Sequence, residues 1–275
     1  MRQRPSNAAI VVVAGLGHAL LPATSSAQPA LPSGRDILER QEAARKLPAF
    51  QAKATLSTSK QGTKDGTPKL FRWWRKLGSD GVHFVTLTRF DAPATIRGEG
   101  LLLREGATDN DVLLYLPRFK KVRRVEGQSQ TSSFMGSVFS YSDIAVPHAE
   151  DYHAEVLREA RCPGDAGQRC WGVDITPAQA KVKQRTGYSH SVQWIRIDNA
   201  ITVYGELYDT KGALWKRLTA AQVKEIDPRA HKWLPHHVTL EDVPGKRVTV
   251  LTLGEVKVDV ALGDELFTEQ SLAAE

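Results

Sequence analysis

Tyr115-Leu-Pro-Arg-Phe-Lys-Lys-Val-Arg-Arg-Val125, then a polar bridge, then Phe134-Met-Gly-Ser-Val-Phe-Ser-Tyr-Ser-Asp143 is the stretch around which the rest of the chain is arranged. Its first half alternates basic and apolar residues, so as a strand it has one wet face and one apolar face. The second half sets Phe134, Met135, Phe139 and Tyr141 among Gly and Ser, with neither a helical nor a strand period. Such a segment is too apolar for a solvated loop and too irregular for a core strand. It reads as a loop lying over or into an apolar cleft.

Working outward, the flanking sequence has a period of two. Upstream, Phe50–Ser59, Leu70–Leu77, Val82–Phe90, Ile96–Arg104 and Val112–Leu116 each fit a strand, separated by turns such as Gly78-Ser79-Asp80-Gly81. Downstream, strands are predicted over Glu150–Arg158, Cys170–Thr176, Ser191–Ile197, Ile201–Tyr208, Leu214–Ile226, Trp233–Glu241 and Val248–Val260, with hairpin turns at Asp198-Asn199 and Asp209–Gly212. One helix is clear. Ser33 with Asp36 makes a capping box, Ile37, Gln41 and Ala44 share a face beside Leu38, and Pro48 stops it. Strands at such short spacing favour an antiparallel meander over βαβ units. The expectation is a mainly β (α+β) fold: a single large curved antiparallel sheet, an incomplete β-barrel of about 11 strands capped by one or two helices.

The 275 residues can bury a substantial core, and nothing forces a second domain. Residues 1–27 read as an export signal: Arg2 and Arg4, an apolar run from Ala8 to Leu21, and Ser25-Ser26-Ala27 before the expected cleavage site. Residues 28–275 then form one exported domain, expected in the periplasm. No cysteine follows the signal, which argues against a lipid-anchored form. Without Arg2 and Arg4 the chain carries 35 Lys+Arg against 31 Asp+Glu, only mildly basic. Lys120-Lys121-Val-Arg123-Arg124 would suggest nucleic acid in a cytosolic protein. In an exported one it is either a solvated strand face or a patch for anionic head groups or an acidic partner surface. Cys162 and Cys170 flank the turn-forming Pro163–Gly167, so a disulfide closing a hairpin-like loop is expected, worth roughly 2–3 kcal/mol by chain entropy.

The inner face of so wide a sheet decides the function. A barrel much above eight strands has room inside for a ligand. Same-face candidates to line it are Phe71 and Trp73, Val82 and Phe84, Leu101 and Leu103, Val112, Leu114 and Leu116, and Trp194. Periodicity alone leaves two readings open, a closed packed core and an apolar cavity.

Leu116-Pro117, Lys121-Val122-Arg123-Arg124, Phe134-Met135-Gly136-Ser137, Phe139-Ser140-Tyr141 and Asp143 together resemble the signature of the periplasmic outer-membrane lipoprotein-sorting-like proteins, the relatives of LolA. The resemblance covers about Arg35 to Phe267. Where that family usually carries carboxylates before Phe139 and after Tyr141, this chain has Val138 and Ser142. The resemblance implies an incomplete antiparallel barrel capped by helices, with an apolar cavity for the acyl chains of a lipid or lipoprotein. Phe134, Met135 and Phe139 are then expected to form a lid with Gly136 as pivot. Ser137 is a structural part of the motif, and Arg123 and Arg124 contact a head group or a donor protein. Asp143 fixes the lid by capping or by pairing with one of these arginines. The resemblance also implies an inner-membrane permease of the RND/MMPL type as partner and an outer-membrane acceptor.

No constellation in the sequence points to catalysis. Gly136-Ser137 lacks the Gly-x-Ser-x-Gly frame. His236 and His237 fall on opposite faces of a strand, and His148, His153, Glu150 and Asp151 follow no metal-ligand spacing. Phosphate loops and dinucleotide fingerprints are missing. A non-enzymatic carrier without cofactor or metal is the expectation. The alternative is a β-rich envelope interaction module with a fully packed core.

Overall fold

The computed structural model describes residues 31–60, 63 and 66–274; the export signal predicted over 1–27 lies outside them. Helix α1 (Gly34–Arg45) is followed by β1 (Ala49–Lys60), β2 (Lys69–Leu77), β3 (Phe84–Ala92), β4 (Gly100–Arg104), β5 (Asp111–Leu116) and β6 (Lys121–Arg124). After a long connector come β7 (Tyr152–Cys162), β8 (Asp165–Pro177), α2 (Ala180–Thr186), β9 (Tyr188–Arg196), β10 (Thr202–Asp209), β11 (Leu214–Asp227), β12 (Lys232–Asp242) and β13 (Arg247–Val258), then α3 (Glu269–Ala273).

All 13 strands form one antiparallel sheet in the order β6-β5-β4-β3-β2-β1-β13-β12-β11-β10-β9-β8-β7. Two meanders are thus joined where β1 pairs with β13, and the sheet stays open, with β6 and β7 as its edges. The count exceeds the expected eleven or so: all twelve segments read as strands are present, and the basic segment Lys121–Arg124 adds the thirteenth by pairing with β5. Strands β7 and β8 are longer than expected, running on to Cys162 and back from Asp165 around Pro163-Gly164. Conversely, the run expected from Ile96 becomes strand only at Gly100. Among the described residues there are three α-helices.

The sheet is curled. Helix α1 touches both β7 and β12, which stand five places apart in the strand order, and only a curled sheet brings them to one helix. The helix starts on the expected reciprocal cap, with Asp36 N–H donating to Ser33 Oγ and Ser33 N–H to Asp36 Oδ2, both at 3.1 Å. It buries Ile37 and Leu38 against Trp171, Val173, Ile175 and Ile195. A Cβ on Gly34 would come within 1.9 Å of the Ala154 carbonyl, so glycine lets the first turn sit directly on β7.

Alternation assigns the faces. On β1, Phe50, Ala52, Ala54 and Leu56 are buried on the inner face. On β4, Leu101 and Leu103 face in while Leu102 faces out, yet all three are fully buried. The outer face there is covered by the C-terminal segment, whose Phe267 and Leu272 pack on Leu87, Leu102 and Leu113. Cys162 and Cys170 form a disulfide with Cα atoms 5.0 Å apart, at the end of the β7–β8 hairpin.

Candidate functional site

The inner face is covered by the connector between β6 and β7, residues 125–151, which runs from one sheet edge to the other. Phe134, Val138, Phe139, Tyr141 and Ile144 of this segment are buried in one cluster with Leu56, Phe71, Phe90, Leu101, Leu103, Val112, Leu251 and Leu253. Phe134 sits 5.9 Å from the Phe90 ring and 5.8 Å from that of Tyr141, edge-on to the latter. Between the connector and the sheet a void of about 10 Å³ remains, lined by Leu56, Phe71, Trp73, Thr88, Phe134, Phe139, Ile144 and Leu251. That holds about one water. Sites for small molecules run to roughly 300–1,000 Å³, far more than the connector leaves open on this face.

Local hydrogen bonds fold the connector into a compact turn. Phe134 N–H donates to the Phe139 carbonyl (2.7 Å), Ser137 N–H and Oγ both donate to the Phe134 carbonyl (2.9 and 2.6 Å), and Ser133 Oγ donates to the Ser137 carbonyl (2.5 Å). The turn passes through left-handed backbone at Met135 (φ +51°) and Gly136 (φ +72°). That conformation is natural for Gly136 and mildly strained for Met135. The serines therefore satisfy backbone that a buried irregular segment would otherwise leave unpaired.

Polar side chains of the sheet hold this turn at several points. Val138 N–H donates to Thr249 Oγ1 (2.9 Å), and Arg247 donates to the Gly136 carbonyl (2.5 Å). Arg75 donates to the Ile144 carbonyl (2.8 Å) while its guanidinium lies over the Trp73 ring at 5.1 Å. Burial pulls the Arg75 pKa down to about 10, against the charge of Glu105.

Asp143 is the central tie. It accepts from Ser140 N–H (2.8 Å), the Tyr188 hydroxyl (2.8 Å) and the Lys216 ammonium (2.9 Å), and the Lys216 side chain is only 2% exposed. Lys216 lies 4.5 Å from the Trp215 ring. Burial, reinforced by Asp143, pushes the Tyr188 hydroxyl well above its ordinary range.

The far end is latched separately. Glu105, 2% exposed at its side chain, accepts from Phe84 N–H (2.9 Å) and Val146 N–H (2.7 Å) and pairs with His148 at 3.3 Å. Glu42 of α1 accepts from Ala149 N–H (2.7 Å). The hydrogen bond with Glu105 raises the His148 pKa against the effect of burial. Burial pushes Glu105 up, but the His148 bond and the Arg75 charge outweigh it, and its pKa is lowered.

The expected cavity residues Phe71, Leu101, Leu103, Val112, Phe134 and Phe139 meet in this cluster, with Trp73, Leu114 and Met135 at its margin. Phe84 is buried beside Arg75, and Leu116 stands half-buried at the end of β5. Trp194 lies elsewhere. Its neighbour Ile195 takes the α1-covered face, so Trp194 packs instead with the disulfide, Val203 and Val223. Arg123 and Arg124 are adjacent on β6 and point to opposite faces, Arg124 toward Asp111 at 3.4 Å. Asp143 does cap the turn, but its partner is Lys216 rather than either arginine. Sequence reasoning missed Lys216, Tyr188, Arg75 and Glu105. Their sole signal was a charged or polar residue at an inward position on a strand or, for Glu105, just past the end of β4.

A family model described as "Uncharacterized protein" matches residues 85–274. Among solved structures, a DUF1329 family protein from Desulfovibrio piger superposes with a TM-score of 0.80 at 28% identity, over 87% of this chain and 97% of that one. An outer membrane lipoprotein-sorting protein domain from Vibrio parahaemolyticus gives 0.79 at 24% identity, over 88% and 98%. A LolA superfamily protein from Nitrosomonas europaea gives 0.67 at 20%, over 88% and 100%. No curated protein matches the sequence. With the family model spanning well over half of its length, the chain belongs to the DUF1329-like family and has a LolA-like fold.

Proposed function

We propose that the protein is a non-enzymatic periplasmic carrier that holds the acyl chains of a lipid or lipoprotein on its inner face and passes them between envelope membranes or membrane proteins. The observation that carries this reading is the filling of an open, curled apolar sheet by a separate segment. Phe134, Phe139, Tyr141 and Ile144 stand where an acyl chain would lie.

The physical case is one of exchange. A sixteen-carbon chain moved into water costs about 12 kcal/mol at about 0.8 kcal/mol per methylene. A carrier must offset most of that and still release its load. A segment that covers the inner face when cargo is absent, and swings out as cargo slides in, trades one apolar contact for another, so the inner face is never bared to water. Both ends of the connector continue into the sheet edges, so it can leave the interior without losing its tether. Met135, unbranched and half-buried at the tip, adapts to different chains.

The lipoprotein-sorting description of the Vibrio parahaemolyticus structure supports this cargo class. The predicted export signal and the disulfide support the periplasm. An RND/MMPL-type permease as donor and an outer-membrane acceptor are the partners consistent with such a path.

A second reading, a packed interaction module, is favoured by the void of only about 10 Å³. Native mass spectrometry of protein purified from the periplasm without detergent, with lipid analysis of an organic extract, separates the two. A stoichiometric lipid or acylated peptide is expected. A clean apo mass together with no saturable uptake of a fluorescent fatty acid sinks the carrier. Within it, Phe139→Asp and Met135→Asp should change fatty-acid affinity; wild-type titration curves would remove the lid role.

A further inference from the structure

Phe119 is 62% exposed, against 40–50% for the other exposed large apolar residues Leu31, Leu70, Val82 and Leu157. Such exposure of a phenyl ring is unfavourable in water unless the ring has somewhere to go. The turn that carries it is built to present it. Pro117 opens a single 3₁₀ turn, Lys120 N–H returns to the Pro117 carbonyl at 3.0 Å, and Lys120 is left-handed at φ +50°, so the chain reverses tightly with Phe119 outward. Around it stand Arg118, Lys120, Lys121 and Arg123, all exposed, and none is ion-paired among the described residues. The acid on the neighbouring strand, Asp111, is already engaged by Arg104 and Arg124.

We infer that this turn and the edge strand β6 dock the protein on the surface of an anionic lipid bilayer, Phe119 entering the interface and the four cations lying among the head groups. A single protruding ring among long flexible cations forms neither the flat apolar patch nor the pocket that a protein partner needs. The edge itself is four residues long, too short to hold an added strand firmly. An aromatic at head-group depth flanked by Lys and Arg is what a charged interface attracts. The position matters as well, because β6 runs straight into the connector, with Val125 N–H still on the Val112 carbonyl at 2.8 Å. Docking would set the first hinge of that segment beside the bilayer. The inference stands apart from the carrier reading and needs no cargo.

The test is co-sedimentation of the full chain with phosphatidylcholine vesicles, with and without phosphatidylglycerol. Wild type is expected to sediment with the anionic vesicles only, and less as salt rises. With about fivefold per surface cation, Lys120→Glu/Lys121→Glu should lower partitioning by more than about 25-fold. Phe119→Ala should lower it by about tenfold, and Phe119→Trp should show a blue shift on adding anionic vesicles. Thermal melting of each variant confirms folding, since the turn is exposed. Equal sedimentation of wild type and both variants, indifference to phosphatidylglycerol, or binding to soluble polyglutamate but not to vesicles would each overturn the inference. Fatty-acid uptake measured on the same samples keeps the two readings apart: loss of uptake with vesicle binding intact counts against the carrier alone.

Discussion

Strands β3–β5 are covered on both faces, and the two covers are made differently. Outside, the C-terminal segment lays Phe267 and Leu272 on Leu87, Leu102 and Leu113, with Arg104 donating to the Phe267 carbonyl at 3.0 Å. Inside, the connector fills the curl with aromatic side chains, leaves a small void, passes through left-handed backbone at Met135, and is tied down by buried charges at Asp143 and Glu105. The difference teaches where change is built in. The outer cover is held by apolar packing and by partly exposed side chains such as Arg104 and Lys76, whereas the connector hangs on buried charge pairs and can be released when those are traded.

The largest effect should come from the inner ties. Asp143→Ala leaves the Lys216 ammonium buried without its carboxylate and should cost about 3–5 kcal/mol in urea unfolding. What survives folded should take up hydrophobic dye more readily than wild type. Leu272→Ala should cost about 2–4 kcal/mol through the cavity it leaves, with fatty-acid uptake unchanged. If both variants raised uptake equally, the two covers would be equivalent and the comparison would fail.

Reduction of Cys162–Cys170 should lower stability by roughly 2–3 kcal/mol, given the short loop it closes. The bridge is remote from the inner cluster, so uptake should again be unaffected.

The smallest effect is the most specific. His148 has a raised pKa, so its contribution is complete below the ordinary 6.5 and is lost as pH rises through the folded value. Glu105 has a lowered pKa, so its contribution is present above the ordinary 4.5 and is lost as pH falls through the folded value. The latch is therefore firmest between those ordinary values. Melting temperature should drop, and uptake rise, from about pH 6 to about pH 8. Arg75, Glu42 and Asp151 also face this group, as does His83, whose ring lies 5.2 Å from that of His148. His148→Gln should flatten the profile; an unchanged slope would assign it elsewhere.

Much of this was legible in the sequence. The period of two from Phe50 onward marks the strands because each buries alternate residues on the inner face, and Ser33 with Asp36 marks the start of α1 through a local cap. The odd composition around Phe134 marks the connector, since serines that bond backbone and aromatics that fill space are both needed in a buried irregular segment. Trp194 was misplaced because alternation leaves the choice of face to one register step, and the register of β9 is set by distant partners on β8 and β10. Lys216 was invisible for a similar reason. Inward lysine on a strand reads as a solvated side chain until the partner, Asp143, arrives from a segment far away in sequence. Helix α2 was missed as too short for periodicity, although Gly187, left-handed at φ +77°, closes it.

The strand order has a consequence for the making of the protein. Every neighbour pair but one is a hairpin between strands consecutive in sequence or nearly so, and the exception is β1 with β13. A nascent chain can therefore build two half-sheets as it emerges, but the apolar row Phe50, Ala52, Ala54 and Leu56 waits on an open border until residues 247–258 have been synthesised. The seam lies at mid-sheet, so the last strand to appear is the one that turns two sheets into one, and until then that border is where the chain is most exposed to aggregation.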